Sequence, residues 1–376
     1  MTTVNPAPVR LKTIRRPVRR ERAQRFVLLL LISFATTVIV TRLFLTLTGF
    51  PQIGNGVLHI SHLLWGGLLL FISVLLLLVL ENLWVYRISA VLGGIGVGLF
   101  IDEVGKFITR NNDYFFPLAI PLIYAFGLIL ALVYLEFRRA ESIDERAEMY
   151  RMLEMFKYLL DRDLTRREFD DVNRRLNNIA AQNEYPDITR LAQTLLEYLS
   201  SDQIQLTPEH QGPRAHLTAK IRRFLRERVG MARQRLVLIA GLLIVALISL
   251  FEPLALIIAP FAPNILLTIL AGSMRAGQIQ GIRSLDWFLV RIGLEGAIGV
   301  ILIIASLLFI WQQNRRGSEI GYIGLLLALT IVNLIAFYFD QFGNIFVTLL
   351  EISLLFILIQ YRHDLTGNRQ ITETQP

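Results

Sequence analysis

The chain has 376 residues, 54% of them hydrophobic and only 18% charged, with a mean hydropathy of +0.52. That balance excludes an ordinary soluble domain, which would need a larger charged shell, and points to a multi-pass membrane protein. The net charge of +8 reads as anchoring on anionic lipid rather than nucleic-acid binding, and the absence of cysteine excludes disulfides and thiolate metal sites.

Residues 1–25 form a basic arm in which Glu21 is the only acid. The run that follows, "FVLLLLISFATTVIVTRLFLTL", is longer than a signal-peptide core and lacks a small-residue cleavage motif. It is expected to be a retained first span, with the arm held in the cytoplasm. About 20 apolar residues cross a hydrocarbon core of about 30 Å. Spans are expected at 26–48, 57–80, 88–109, 115–137, 236–258, 285–311, 319–339 and 343–361. Arg87, Arg138, Arg139, Arg315, Arg316 and Arg362 then all fall on the cytoplasmic side, with both termini inside. Arg275 and Arg283 run against the rule, in an outer loop expected to carry a surface or re-entrant helix.

The expected architecture is an all-α polytopic bundle of about eight spans. The arm (1–25) precedes a first membrane half (26–137), a helical cytoplasmic domain (138–235), a second half (236–361) and a cytoplasmic tail (362–376). Within 138–235, Met149, Met152, Phe156 and Leu159 recur at helical spacing, Thr165 and Glu168 make a capping box, and Pro186-Asp187 opens another helix. A basic helix near 214–233 would rest on anionic headgroups. The domain reads either as a partner-binding or regulatory module or as a solvated linker between the halves.

The two halves share short motifs. "FIDEVGKFI" (100–108) aligns with "YFDQFGNIF" (338–346), which pairs Asp102 with Asp340. Each half has an even number of spans, so the repeat would be parallel. The second half offers Arg291 and Glu295 one turn apart, most simply a salt bridge, and isolated Asn333 and Glu351. It is read as a degenerate copy that supports the first.

The candidate site is the stretch "GVGLFIDEVGKFI" together with the start of the second span. His59, His62, Asp102 and Glu103 come to similar depth on the outer side. Gly94, Gly98, Asp102 and Gly105 share a helical face that turns Asp102 into the bundle. A carboxylate in a span costs about 2.5–3.5 kcal/mol, so two in succession demand a partner or a purpose. Three readings stand. In a structural clamp, Lys106 neutralises a carboxylate and His62 bonds Asp102. In a divalent-metal site, His59, His62 and Asp102 or Glu103 are the ligands. In the third, the same groups handle protons or a polar headgroup.

"LHISHLLWGGLLL" followed by "LGGIGVGLFIDEVGKF" resembles a group of bacterial multi-pass membrane proteins of unknown function, marked by a His-rich span start and a G-x-G-L-x-x-D-E span. His59, His62, Asp102 and Glu103 match that pattern; Ser61 departs from it. The resemblance covers about residues 57–110. It implies a protein of the bacterial inner membrane and no particular activity. A metal-dependent intramembrane hydrolase would want a third histidine at that depth, whereas His210 and His216 lie in the cytoplasmic domain and His363 in the tail. The expected function is therefore a carrier or lipid-headgroup-binding protein. The alternatives are a metal-dependent hydrolase or transferase, and a scaffold acting through the insert.

Overall fold

The computed structural model describes residues 16–49, 61–139, 144–182, 185–201, 204, 206–207, 231–258, 282–339 and 343–373. Eight helices are long and apolar enough to cross a membrane: Ala23–Thr48, His62–Val79, Leu83–Asp102, Ala119–Arg138, Arg233–Ile258, Leu285–Ile310, Asn314–Phe339 and Asn344–Arg362. Among the described residues there is no strand, only an isolated bridge between Thr165 and Thr207. The chain is an all-α multi-pass membrane protein.

The first five helices are α1 (Ala23–Thr48), α2 (His62–Val79), α3 (Leu83–Asp102), the short α4 (Val104–Ile108) and α5 (Ala119–Arg138). Then come α6 (Glu145–Leu160), α7 (Arg166–Gln182) and α8 (Pro186–Leu199). The remainder is α9 (Met231–Ile258), α10 (Ile282–Ile310), α11 (Asn314–Leu327), a π turn (Ala328–Val332), α12 (Asn333–Phe339) and α13 (Gly343–Glu373). Outward positions on α2, such as Leu64, Trp65, Phe71 and Leu78, are exposed and apolar, as lipid contact requires.

The chain forms two compact units. One comprises residues 1–53, 64–98 and 131–210; the other comprises 54–63, 99–130 and 211–376. In the first, the α3 glycines let backbones meet. A Cβ on Gly94 would come within 2.7 Å of the Ser33 Cβ on α1, and one on Gly98 within 2.9 Å of the Thr37 Cβ. A Cβ on Gly96 would lie 2.8 Å from the Gly66 carbonyl on α2. Van der Waals packing of small residues is what holds helices together where the surroundings are as apolar as their side chains.

The polar helices α6–α8 belong to this unit and carry their own core of Met149, Met152, Met155, Val172, Leu176, Ile179, Ala192 and Leu199. Full burial of a side chain such as Leu176 contributes about 2 kcal/mol, so this small cluster must be dense to offset its ordering entropy. The helix starts are chemically defined. Asp144 caps α6 by accepting from the Ala147 amide. Thr165 and Glu168 form the capping box of α7, and Pro186 opens α8.

The second unit packs α9, α10, α11 and α13 around Leu242, Val245, Leu302, Ala305, Phe309, Leu325 and Leu358. The sequence predicts an unbroken span over 319–339. The helix instead widens at 328–332, where the Asn333 amide reaches back to the Ala328 carbonyl, five residues away. Single π turns of this kind are frequent at functional positions.

Candidate functional site

The expected third span, 88–109, is broken. α3 ends at Asp102, Glu103 sits at φ −90° and ψ 10°, and α4 begins at Val104. In a continuous helix neighbouring side chains diverge by about 100°; at this break both carboxylates come to face one partner. His62, the first residue of α2, stands between them. Its Nε2 lies 3.1 Å from Asp102 Oδ2 and its Nδ1 3.0 Å from Glu103 Oε1. Asp102 and Glu103 are buried, while the His62 side chain is 24% exposed.

Other side chains complete the shell. Lys106 Nζ is 3.2 Å from Glu103 Oε1. The Ser61 hydroxyl donates to Glu103 Oε2 and accepts from the Leu63 amide, 3.1 Å away. The Tyr114 hydroxyl donates to Asp102 Oδ2 at 2.7 Å, and its ring meets the imidazole edge-on. Tyr114 arrives on the loop after α4, and Gly105 makes that approach possible. A Cβ there would lie 2.7 Å from the Asp113 carbonyl and 3.0 Å from that of Tyr114.

The charges balance. With His62 protonated, two cations meet two carboxylates in a buried place, the condition under which such charges are tolerated. Proton counting gives the same answer. Nε2 is in hydrogen-bond geometry with Asp102, whereas Nδ1 meets Glu103 Oε1 as a close charge contact without hydrogen-bond geometry, so an imidazolium would make both contacts attractive.

No family model, curated protein or solved structure matches this chain. The chemistry of its own residues therefore carries the functional reading.

The structure brings together four of the five candidate residues, namely His62, Asp102, Glu103 and Lys106. His59 lies outside the described residues, as does Asp340, the second-half counterpart of Asp102. Among the described residues no group of three or more His, Cys, Asp and Glu is placed to hold a metal ion. Ser61, the one departure from the histidine pattern, is a working member of the cluster. Tyr114 has no helical spacing to reveal it; the only sequence signal was Gly105, which marks a close backbone approach.

The second half holds a separate buried polar group. Arg291 pairs with Glu295 at 2.7 Å as the spacing predicts, and also with Glu252 of α9 at 3.0 Å. Asn333 and Glu351, isolated in the sequence, meet in the fold. The Asn333 side-chain amide donates to Glu351 Oε2 at 2.6 Å and to Thr348 Oγ1 at 3.1 Å. The Tyr124 hydroxyl donates to the Leu329 carbonyl at 2.5 Å, within the π turn.

Proposed function

We propose that this multi-pass membrane protein is a carrier for a polar solute or lipid headgroup, in which the His62–Asp102–Glu103 unit is a proton-dependent latch between the start of α2 and the end of α3. One observation carries the reading: a single imidazole hydrogen-bonds one buried carboxylate through Nε2 and stands 3.0 Å from a second at Nδ1. Removing one proton from that unit leaves a nitrogen lone pair facing a carboxylate, and attraction becomes repulsion at one contact. Intramembrane carboxylate and histidine groups of this kind serve proton relays and coupled transport. Lys106, at Glu103, and Tyr114, at Asp102, are other titratable groups facing the unit. A latch on the outer side of the membrane is supported by the positive-inside pattern of the loops.

The test uses the natural absence of cysteine. Spin labels at Leu63→Cys and Phe107→Cys report the separation of the two elements in lipid nanodiscs. The expected result is one short distance in acid that lengthens or broadens as the pH is raised. His62→Gln should abolish that dependence. A distance that stays constant with pH in the parent protein would reduce the cluster to a static clamp and remove the basis for the carrier reading.

A further inference from the structure

In the first unit, the amino-terminal turn of α1, the carboxy-terminal end of α5 and the polar helices α6 and α7 line a cavity of about 450 Å³. Its wall is dominated by eight arginines, with Glu21 and Asp171 as its only acids. Six of the arginines are committed. Arg19 and Arg139 share Glu136 at 3.5 and 3.1 Å. Arg20 takes Glu154 at 3.3 Å, and Arg22 takes Glu168 at 3.0 Å. Arg175 holds Asp171 at 2.9 Å and Glu148 at 3.2 Å. Arg151 lies 3.8 Å from Glu148 and 3.9 Å from Glu21.

Six carboxylates thus serve six guanidiniums. Arg25 and Arg138 are left over; both are exposed, and neither has an ion pair or side-chain hydrogen bond with a described residue. Arg25 is also at the wrong end of its helix. It sits in the first turn of α1, where no acid is present and Arg22 provides no side-chain cap. The helix dipole repels a cation there and favours an anion.

We propose that this cavity binds a phosphate-bearing anion, with Arg25 and Arg138 as its uncommitted guanidiniums. Their planar forks match phosphate oxygens two at a time, and their combined charge suits a phosphomonoester dianion or a phosphodiester with a further contact. Ala23 and Arg138 are the ends of two membrane-crossing helices, the level at which lipid phosphates lie. The same chemistry would accept a free phosphate, and the experiment separates the two sources.

The full chain in neutral detergent, at fixed ionic strength, is titrated with inorganic phosphate, with short-chain phosphatidylglycerol and with phosphatidylcholine of the same chain length, and the thermal midpoint is followed. A saturable rise with phosphatidylglycerol alone assigns the site to an anionic headgroup; a saturable rise with phosphate as well assigns it to a soluble phosphate. In either case Arg25→Gln/Arg138→Gln should weaken the response about tenfold, the loss expected from removing charge-assisted contacts. Arg25→Lys/Arg138→Lys, which keeps charge but not the fork, should fall between. Arg315→Gln/Arg316→Gln, an equal loss of charge at another helix start, should leave it unchanged. No saturable rise with either anion, or an equal loss in the Arg315/Arg316 variant, overturns the site.

Discussion

Tyr114 donates its hydroxyl to Asp102 across a gap of 2.7 Å, from a loop whose backbone presses on Gly105. The carboxylate that faces His62 on one side is therefore held on the other by a residue outside any span. Tyr114→Phe should lower stability by about 2 kcal/mol, the scale of a hydrogen bond to a charged group. Gly105→Ala should match or exceed that loss, because the obstructing atoms are backbone carbonyls that cannot move independently. Thermal unfolding in detergent measures both; a wild-type midpoint in Gly105→Ala would show that the loop is not seated as described.

Asp102→Ala removes one side of a buried ion-paired cluster and leaves His62 short of a partner. The expected cost is about 3–5 kcal/mol. His62→Ala should also destabilise, since it strands the carboxylates. The double variant should cost much less than the two together, because contacting residues are coupled. Additive losses in a double-mutant cycle would mean that the two side chains act independently.

Outside the membrane segments, Lys157 of α6 holds Glu81 at 2.8 Å, between α2 and α3. The hydrogen bond from Lys157, followed by its charge, lowers the Glu81 carboxyl below its ordinary range; the same hydrogen bond raises the Lys157 ammonium. A lowered carboxyl contributes above its unfolded value and stops contributing as pH falls through its folded one. A raised ammonium contributes below its unfolded value and is lost as pH rises through its folded one. The contact should thus persist through the whole neutral range and fail only in acid and in strong alkali. NMR titration of the Glu81 carboxyl, compared with Lys157→Gln, checks the sign: the variant should titrate higher.

By the positive-inside rule, the turn after α4 is expected outside and helices α6–α8 inside. Asn111→Cys should react with an impermeant maleimide on intact cells, and Asp163→Cys should react only after lysis. Both positions are exposed. Labelling of Asp163→Cys in intact cells would invert the threading.

The helical class and the number of crossing helices were legible because apolar length is a one-dimensional property. The Thr165–Glu168 box, the Pro186 start and the Arg291–Glu295 pair were legible because they are local, at spacings fixed by helical geometry. The meeting of His62 with Asp102 could be argued from depth and facing, since short loops make neighbours. What escaped depends on contacts between distant segments or on departures from regular helix: Tyr114 reaching back from a loop, Glu252 joining Arg291, Asn333 meeting Glu351, and the break at Glu103. Arg42, buried within α1, leaves no mark in the hydropathy pattern because one cation hardly alters the mean of a window.

The widened turn at 328–332 means that this crossing segment carries one amino acid more than its length requires. A helix of plain 3.6-residue turns would have no such surplus, and losing a residue from it would rotate everything beyond by about 100°. Here the surplus can be removed at its source. Deleting Thr330, an exposed residue whose hydroxyl merely bonds the Leu326 carbonyl, should close the ladder while Leu325 and Asn333 keep their bearings. Deleting Ile323, also exposed, should scramble the helix face and abolish accumulation of the protein. Shortening at 330 would withdraw the carbonyl that Tyr124 uses, so a deletant that accumulates normally yet behaves differently would separate what the extra residue does from what holds the bundle together.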